Sequence, residues 1–297
     1  MKKLILSFIA IFLFNDTVLT WGFFSHCKIN KLAVYTLPES MNTFFLNHIQ
    51  LLEDKAVNAD KRKFTIKDEA PRHFIDIDAY SIDSPFTVMP KKWDDAVAKY
   101  SEDTLIKYGI LPWHINKQYH ILVKALKEHK IDRSINLLSD LGHYVADAHV
   151  PLHTTINYDG QLSNQKGIHA FWESRLPELF VENYDFYLPK VSYQDDILSY
   201  IWSIIESSYS AKDSVLSFEA KLNKSYSSDL KFSIEQKGQG DKKVYSEDYS
   251  KAYHVMLDGM VERQMRKSIL AISCIWYSAW VDAGQPNMDE WQYQENE

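Results

Sequence analysis

The sequence predicts an all-α fold in one multi-helix domain, and three observations support this. Apolar residues recur at helical spacing over most of the chain from Ile29 onward. Only nine glycines and nine prolines occur among 297 residues, which fits long helices better than many short strands. No internal repeat, glycine-rich phosphate loop or break in composition divides the chain, and its 45% hydrophobic and 14% aromatic content suffices for one buried core.

The first residues are typical of an export signal that is later removed. Two lysines precede residues 4–14, an apolar run interrupted by a single serine and too short to span a bilayer. Thr20 is a small residue at the expected cleavage point. The sequence therefore predicts a signal peptide at 1–20 and an exported mature chain at 21–297, located in the periplasm or outside the cell. An uncleaved membrane anchor is the alternative.

Helical periodicity then predicts the helices in order. They are expected at 29–37, 41–52, 93–100, 112–129 and 132–150, from about 168, and at 193–210 and 249–283. Pro38 separates the first two, Asp132 is expected to cap the fifth, and Pro151 ends it. Residues 60–91 are expected to be irregular.

Two polar segments are expected to lie outside the core. Residues 225–246 are mostly polar and include a glycine-containing run, which predicts an exposed loop. Residues 285–297 are expected to form a loosely ordered polar tail.

The two cysteines, Cys27 and Cys274, can pair in an exported protein, and the spacing leaves both a disulfide and free thiols open.

Histidines and carboxylates cluster in the middle of the chain. His143 and Asp147 are four residues apart, so on a helix they share one face and can bind one metal ion. A proline ends that helix, so His153 is expected to point towards a neighbouring ion. His169 and Glu173 repeat the spacing of four. Imidazoles and carboxylates on stiff helices commonly build zinc or di-iron sites.

Other histidines have simpler interpretations. His254 and Asp258 form a lone pair at the same spacing, which usually indicates a surface ion pair. His149 is expected beside the ligands or at the rim of the site and not among them. Four more lack a carboxylate four residues away and are expected to be ordinary core or surface residues: His48, His114, His120 and His129.

The order of these motifs resembles the zinc-dependent phospholipase C and S1/P1 nuclease superfamily over residues 21–175. The matching segments are Trp21-Gly-Phe-Phe-Ser-His26, Asn58-Ala59-Asp60, His73-Phe74-Ile75-Asp76, Leu111-Pro112-Trp113, His143…Asp147…His153 and His169…Glu173. The resemblance implies that the helical domain at 21–297 is of the phospholipase C/P1 nuclease type.

The resemblance also implies three zinc ions. The ligand sets carried over are Asp60, His73, His143 and Asp147 for the first ion; His153, His169 and Glu173 for the second; and the amine and carbonyl of Trp21, with His26 and a shared oxygen of Asp147, for the third. An α-amine exists at Trp21 only if the signal is cleaved there. Export would therefore complete the site.

The implied activity is hydrolysis of phosphoric esters by water that the ions activate, with Asp60 as the catalytic residue that orients this water. The short interval from His153 to His169, and Glu at 173, favour phospholipase C-type phosphodiesterase activity. Phe24 stands where choline-specific relatives have a carboxylate, which disfavours that specificity. The substrate is expected to be a phospholipid head-group ester or a single-stranded nucleic acid.

Several alternatives stay open at this point. Phe74 and Asp76 would bind substrate, and stacking on a nucleobase would favour an S1/P1-type single-strand nuclease or 3′-nucleotidase. The net charge of −7 argues against a basic nucleic-acid surface, although bound zinc supplies positive charge locally. Phe23 and Phe24 allow either a transient contact with a membrane surface or core packing. A zinc-stabilised binding protein without turnover and a di-iron protein are the remaining options, and no obligate protein partner is indicated.

Overall fold

The computed structural model describes residues 22–237 and 240–293, of which 65% are helical and 4% are in strands. The described chain is one all-α domain, as predicted. The predicted signal peptide and Trp21 lie outside the described residues. No helix in the described ranges combines the length and apolar character needed to cross a membrane.

The helices follow one another with short connections. They are α1 Phe23–Val34, α2 Glu39–Asn47, α3 Ile49–Lys55, α4 Asn58–Arg62, α5 Pro85–Val88, α6 Trp93–Tyr100, α7 Glu102–Tyr108, α8 Leu111–Lys127, α9 Ile131–Ala148, α10 Ile168–Ala170, α11 Leu176–Phe180, α12 Ile197–Ser225, α13 Glu247–Met256 and α14 Met260–Asp282. Short 3-10 turns occur at Ala70–His73, Ile77–Ala79, Pro151–Thr154 and Val181–Asn183, and one π-helical turn at Phe171–Arg175.

Helix α9 lies at the centre of the domain. It packs against α8, α14, α1, α3 and α12. Its first half buries one apolar face, with Ile135, Leu138 and Leu141 at helical spacing, whereas every residue of 141–148 is buried. The C-terminal half of α9 therefore carries its polar side chains into the core, and those side chains need partners there.

A glycine sets the distance between α1 and α9. A Cβ at Gly142 would lie 2.1 Å from Oδ1 of Asn30, a separation that no side chain tolerates. The Asn30 amide in turn donates to the carbonyl of His26 at 3.1 Å. The close approach brings the ring of His26 into a stack on His143, with ring centroids 3.9 Å apart.

Most predicted helices are present, and their ends differ for local reasons. The cap of α9 is Lys130, so the expectation that Asp132 caps it was wrong: Asp132 lies in the first turn. The helix predicted at 249–283 is divided where Asp258 and Gly259 both adopt positive φ angles of 48° and 71°. The helix predicted at 193–210 continues to Ser225. Residues 60–91, expected to be irregular, contain short helical turns.

The two polar segments are more ordered than their composition suggests. The segment 225–246 contains an antiparallel hairpin of β1 Phe232–Lys237 and β2 Gly240–Tyr245, with Phe232 paired to Tyr245. Stacking of aromatic rings explains this, because Tyr245 also stacks on Phe171 with centroids 3.8 Å apart. In the tail, Trp291 is only 7% exposed and packs edge-on against Phe44.

The two cysteines do not pair. Cys27 and Cys274 are both free thiols, and burial raises the pKa of Cys27 to about 11. Cys274 is buried beside Ser192.

Candidate metal centre

Eight predicted ligands converge from six parts of the fold. Helix α9 supplies His143 and Asp147, and the remaining side chains come from α1, α4, two 3-10 turns and the segment α10 with its π-helical turn. Each is at most 5% exposed: His26, Asp60, His73, His143, Asp147, His153, His169 and Glu173. Within the described residues they form three groups able to hold an ion, namely His73–His143–Asp147, His153–His169–Glu173 and His26–Asp60–His143.

The first group has the spacing that a tetrahedral ion requires. Zinc bonds of about 2.0–2.1 Å place neighbouring ligand atoms about 3.3 Å apart. Nδ1 of His73 lies 2.8 Å from Oδ2 of Asp147 and 3.1 Å from Nε2 of His143. Nε2 of His143 lies 3.3 Å from Oδ2 of Asp147 and 3.6 Å from Oδ1 of Asp60. His73, His143 and Asp147 therefore fit one ion, whereas Asp60, the fourth ligand that the resemblance implies, groups with His26 and His143 instead.

The second group fits equally well. Oε2 of Glu173 lies 3.1 Å from Nε2 of His169 and 3.5 Å from Nε2 of His153. These two nitrogens and both oxygens of Glu173 are buried and make no hydrogen bond within the described part of the chain. Buried polar atoms are rarely left so, and a cation between them would satisfy all four. Glu173 lies on the π-helical turn, an irregularity that is common at functional sites.

Asp147 lies between the groups. Its Oδ2 faces His73 and His143, whereas its Oδ1 lies 3.4 Å from Nε2 of His26 and 3.9 Å from Nε2 of His153. Burial alone would raise the pKa of Asp147, but His143 and His153 hold it well below its usual range. A carboxylate that stays ionised with both oxygens turned towards different imidazoles is suited to bridge two cations.

Backbone carbonyls fix the orientation of three of the imidazoles. Nδ1 of His143 donates to the carbonyl of Ala56 at 2.8 Å. Nδ1 of His153 donates to the carbonyl of His73 at 2.6 Å, and Nδ1 of His169 donates to that of Tyr158 at 3.0 Å. Because the proton of each neutral ring is held on Nδ1, the lone pair of Nε2 faces the cluster. In this tautomer Nε2 is the nitrogen that can bind a metal.

Neighbouring charges shift the pKa values of His169 and Glu173 in the second group. Burial lowers the pKa of His169, but Glu173 more than reverses this, so the pKa is raised. Burial raises the pKa of Glu173, but His169 and His153 bring it below its usual range. A cation bound here competes with protons on the imidazoles, so its binding should release protons.

The third ligand set is only partly described, since Trp21 lies outside the described residues. Nε2 of His26 faces Oδ1 of Asp147, and His26 forms a group with Asp60 and His143. Gly22, the residue after Trp21, donates its N–H to Oγ of Ser174 at 3.0 Å. Gly22, the first described residue, therefore contacts Ser174, which directly follows the ligand Glu173.

Asp60 has a partner that the sequence did not indicate. Nζ of Lys63 lies 2.8 Å from Oδ1 of Asp60. Burial would raise the pKa of Asp60, but His143 and Lys63 lower it, so the carboxylate stays ionised. The spacing of three residues is common between charged side chains on any helix surface, so it gave no warning that Lys63 reaches the cluster.

Phe74 and Asp76 follow the ligand His73 but belong to none of the three groups. The carbonyl of Phe74 lies against Gly109, where an added Cβ would approach it to 2.1 Å and φ is +90°. Asp76 is half-buried, and burial together with Asp78 raises its pKa to about 7. Substrate binding by these two residues stays a prediction.

The other histidines have local partners. Nδ1 of the buried His149 donates to the carbonyl of Val145 at 2.8 Å, and His149 joins none of the described metal groups. His254 hydrogen-bonds to the hydroxyl of Tyr184 at 2.8 Å.

No protein-family model matches this chain, and no curated protein matches it either. The three buried groups of imidazoles and carboxylates are therefore the observation from which a function has to be inferred.

Proposed function

We propose that this chain is an exported trinuclear-zinc hydrolase of phosphoric esters, of the phospholipase C and S1/P1 nuclease type, which acts as a phospholipase C-type phosphodiesterase. The observation that supports it most is the position of Asp147 between two sets of imidazoles, with one oxygen towards each. A structural zinc site has four ligands around one ion. Here, adjacent groups of ligands share the carboxylate of Asp147.

Two of the three proposed ligand sets include a group with the spacing that an ion requires, and His143, His153 and His169 present Nε2 to the cluster. When bound, zinc would lower the pKa of water towards neutrality and offset negative charge on a phosphate. Asp60 is kept ionised beside Lys63 and lies at the edge of the first group, where its carboxylate can orient water for attack on phosphorus. The chain as a whole is acidic, so the positive charge that attracts a phosphate has to be local.

The preference for a lipid substrate is supported by the start of α1. Phe23 and Phe24 are 36% and 44% exposed, so neither is core, and both precede His26 by at most three residues. Exposed aromatic rings so close to a ligand are suited to contact acyl chains or a membrane surface transiently.

The nuclease alternative has one specific observation in its favour. Burial and Asp78 raise the pKa of the half-buried Asp76 to about 7, and Asp76 lies two residues after Phe74 and three after the ligand His73. A carboxyl group that carries a proton at neutral pH can donate a hydrogen bond to a nucleobase beside a stacking ring.

The test combines metal analysis with parallel assays of the secreted chain. Substrates are a chromogenic phosphodiester, phosphatidylcholine vesicles and single-stranded RNA, each before and after chelation and after zinc is restored. We expect activity that chelation removes and zinc restores, greatest on the vesicles. Activity that survives chelation, or none on all three substrates, would contradict the proposal; greater activity on RNA would favour the nuclease.

Two buried histidines provide a matched pair for this test. His169 and His149 are 5% and 4% exposed and each donates Nδ1–H to a carbonyl, but only His169 faces the cluster. His169→Gln should lose activity and one metal ion. His149→Gln should keep both.

A further inference from the structure

His73 is oriented differently from the three imidazoles that donate to carbonyls. Its Nδ1 faces the cluster, 2.8 Å from Oδ2 of Asp147. If Nδ1 offers its lone pair to a cation, the ring proton must sit on Nε2. Nε2 faces a carboxylate, with Oε1 of Glu69 at 3.7 Å.

Glu69 is itself fixed from several sides. It is fully buried, and its Oε1 accepts a short hydrogen bond from the hydroxyl of Tyr144. Its Oε2 accepts from the guanidinium of Arg72 at 2.6 Å, and Arg62 lies 3.3 Å from Oε1. A buried carboxylate with a phenol and two guanidinium partners is expected to stay ionised and to move little.

The same network is anchored on α9. Tyr144 follows the ligand His143, and its ring packs against that of His73 with centroids 5.2 Å apart. Arg62 also donates to both oxygens of Asp140 on α9, at 3.0 and 2.9 Å. Glu69 thus connects the turn that carries His73 to the helix that carries two other ligands.

We propose that Glu69 is a positioning residue of the metal centre, which accepts the Nε2–H of His73 and holds Nδ1 towards the ion. The inference rests on the metal centre of the proposed function. At 3.7 Å the pair is longer than a hydrogen bond, and a movement of about 0.8 Å closes it. A carboxylate in this place raises the basicity of the imidazole and fixes the angle of its ring.

The experiment measures metal affinity and not turnover. Zinc affinity of Glu69→Gln is determined by competition with a chromogenic chelator, and the visible spectrum of the cobalt-loaded chain reports the geometry at the ion. We expect the affinity for one ion to fall about 10–100-fold, with a changed cobalt spectrum, since outer partners of ligating histidines have effects of that size.

Glu219 offers a matched control. It is 1% exposed and accepts hydrogen bonds from Tyr249 at 2.7 Å, Lys231 at 2.8 Å and Gln165 at 2.6 Å, and it belongs to none of the described metal groups. Glu219→Gln should lower the thermal midpoint, as Glu69→Gln does, but should leave zinc affinity and the cobalt spectrum unchanged.

A milder variant covers the case in which Glu69→Gln does not fold. Tyr144→Phe keeps the ring against His73 and removes the hydroxyl that donates a hydrogen bond to Glu69. It should therefore weaken zinc binding as Glu69→Gln does, by a smaller factor. A wild-type chain that binds no zinc would overturn both the proposed function and this inference. Normal zinc binding in the wild type with unchanged affinity in the folded Glu69 or Tyr144 variant overturns the inference alone.

Discussion

Asp147→Asn tests the shared carboxylate at the centre of the cluster. The replacement keeps the size of the side chain, removes its charge and turns one oxygen into an amide that cannot bind a cation. The two oxygens face different partners, with Oδ2 2.8 Å from Nδ1 of His73 and Oδ1 3.4 Å from Nε2 of His26. Two proposed ions therefore lose a direct ligand through one substitution.

The size of the effect follows from that geometry. Loss of an outer partner of a ligand costs about 10–100-fold in affinity, so loss of a direct ligand should cost about 100-fold or more at each of the two ions. The group of His153, His169 and Glu173 keeps its own three ligands. Zinc content should therefore fall from about three ions to about one, and hydrolysis by about 100-fold or more.

Glu173→Gln makes the measurement decisive, because Glu173 serves one group only. After dialysis at a fixed free zinc concentration, elemental analysis should find about two ions in Glu173→Gln and about one in Asp147→Asn. Equal zinc content in the two variants would refute the shared role of Asp147. Full zinc occupancy in Asp147→Asn would refute its role as a ligand altogether.

Two further predictions concern other parts of the chain. The pKa of Asp76 is raised from its usual 3.8 to about 7, so the folded state holds this proton more tightly and gains stability that is fully present below about pH 3.8 and is lost as the pH rises through about 7. Thermal unfolding between pH 4 and 8 should show this loss in the wild type and a smaller one in Asp76→Asn; parallel profiles would contradict it. Mass spectrometry of the secreted protein should find Trp21 as its first residue, and any other first residue would remove the proposed third ion's amine ligand.

The paired ligands could be predicted because helix geometry is local. His143 and Asp147 share a face of α9 whatever surrounds that helix, and a distance of 3.3 Å between Nε2 and Oδ2 follows from the spacing of four. His169 and Glu173 behave in the same way across the π-helical turn, at 3.1 Å. The all-α fold could be predicted for a related reason, since apolar periodicity reports burial of one helix face.

The positioning network could not be predicted, because it depends on contacts between distant segments. Glu69 and Tyr144 are 75 positions apart, and no local pattern marks either as part of a metal site. The hairpin and the tail were missed for the same reason: Tyr245 is ordered by Phe171, and Trp291 by Phe44. Polar composition predicts exposure of a segment well, but it does not predict that one aromatic side chain in the segment packs against a residue far away in the sequence.

The central helix also explains why the cluster can be expected to have a function. Replacing buried charged groups with apolar residues of similar volume is often neutral or stabilising. His143 and Asp147 lie in a fully buried stretch of α9, where leucine would stabilise the fold more. Hydrogen bonds to carbonyls, the hydrogen bonds to Glu69 and the close approach at Gly142 hold these groups in place. If the cluster binds metal ions, their binding free energy offsets that cost and becomes part of the folding free energy. On this reasoning Glu69→Gln and Asp147→Asn should lower the thermal midpoint more in zinc than after chelation, whereas Glu219→Gln should lower it equally in both conditions.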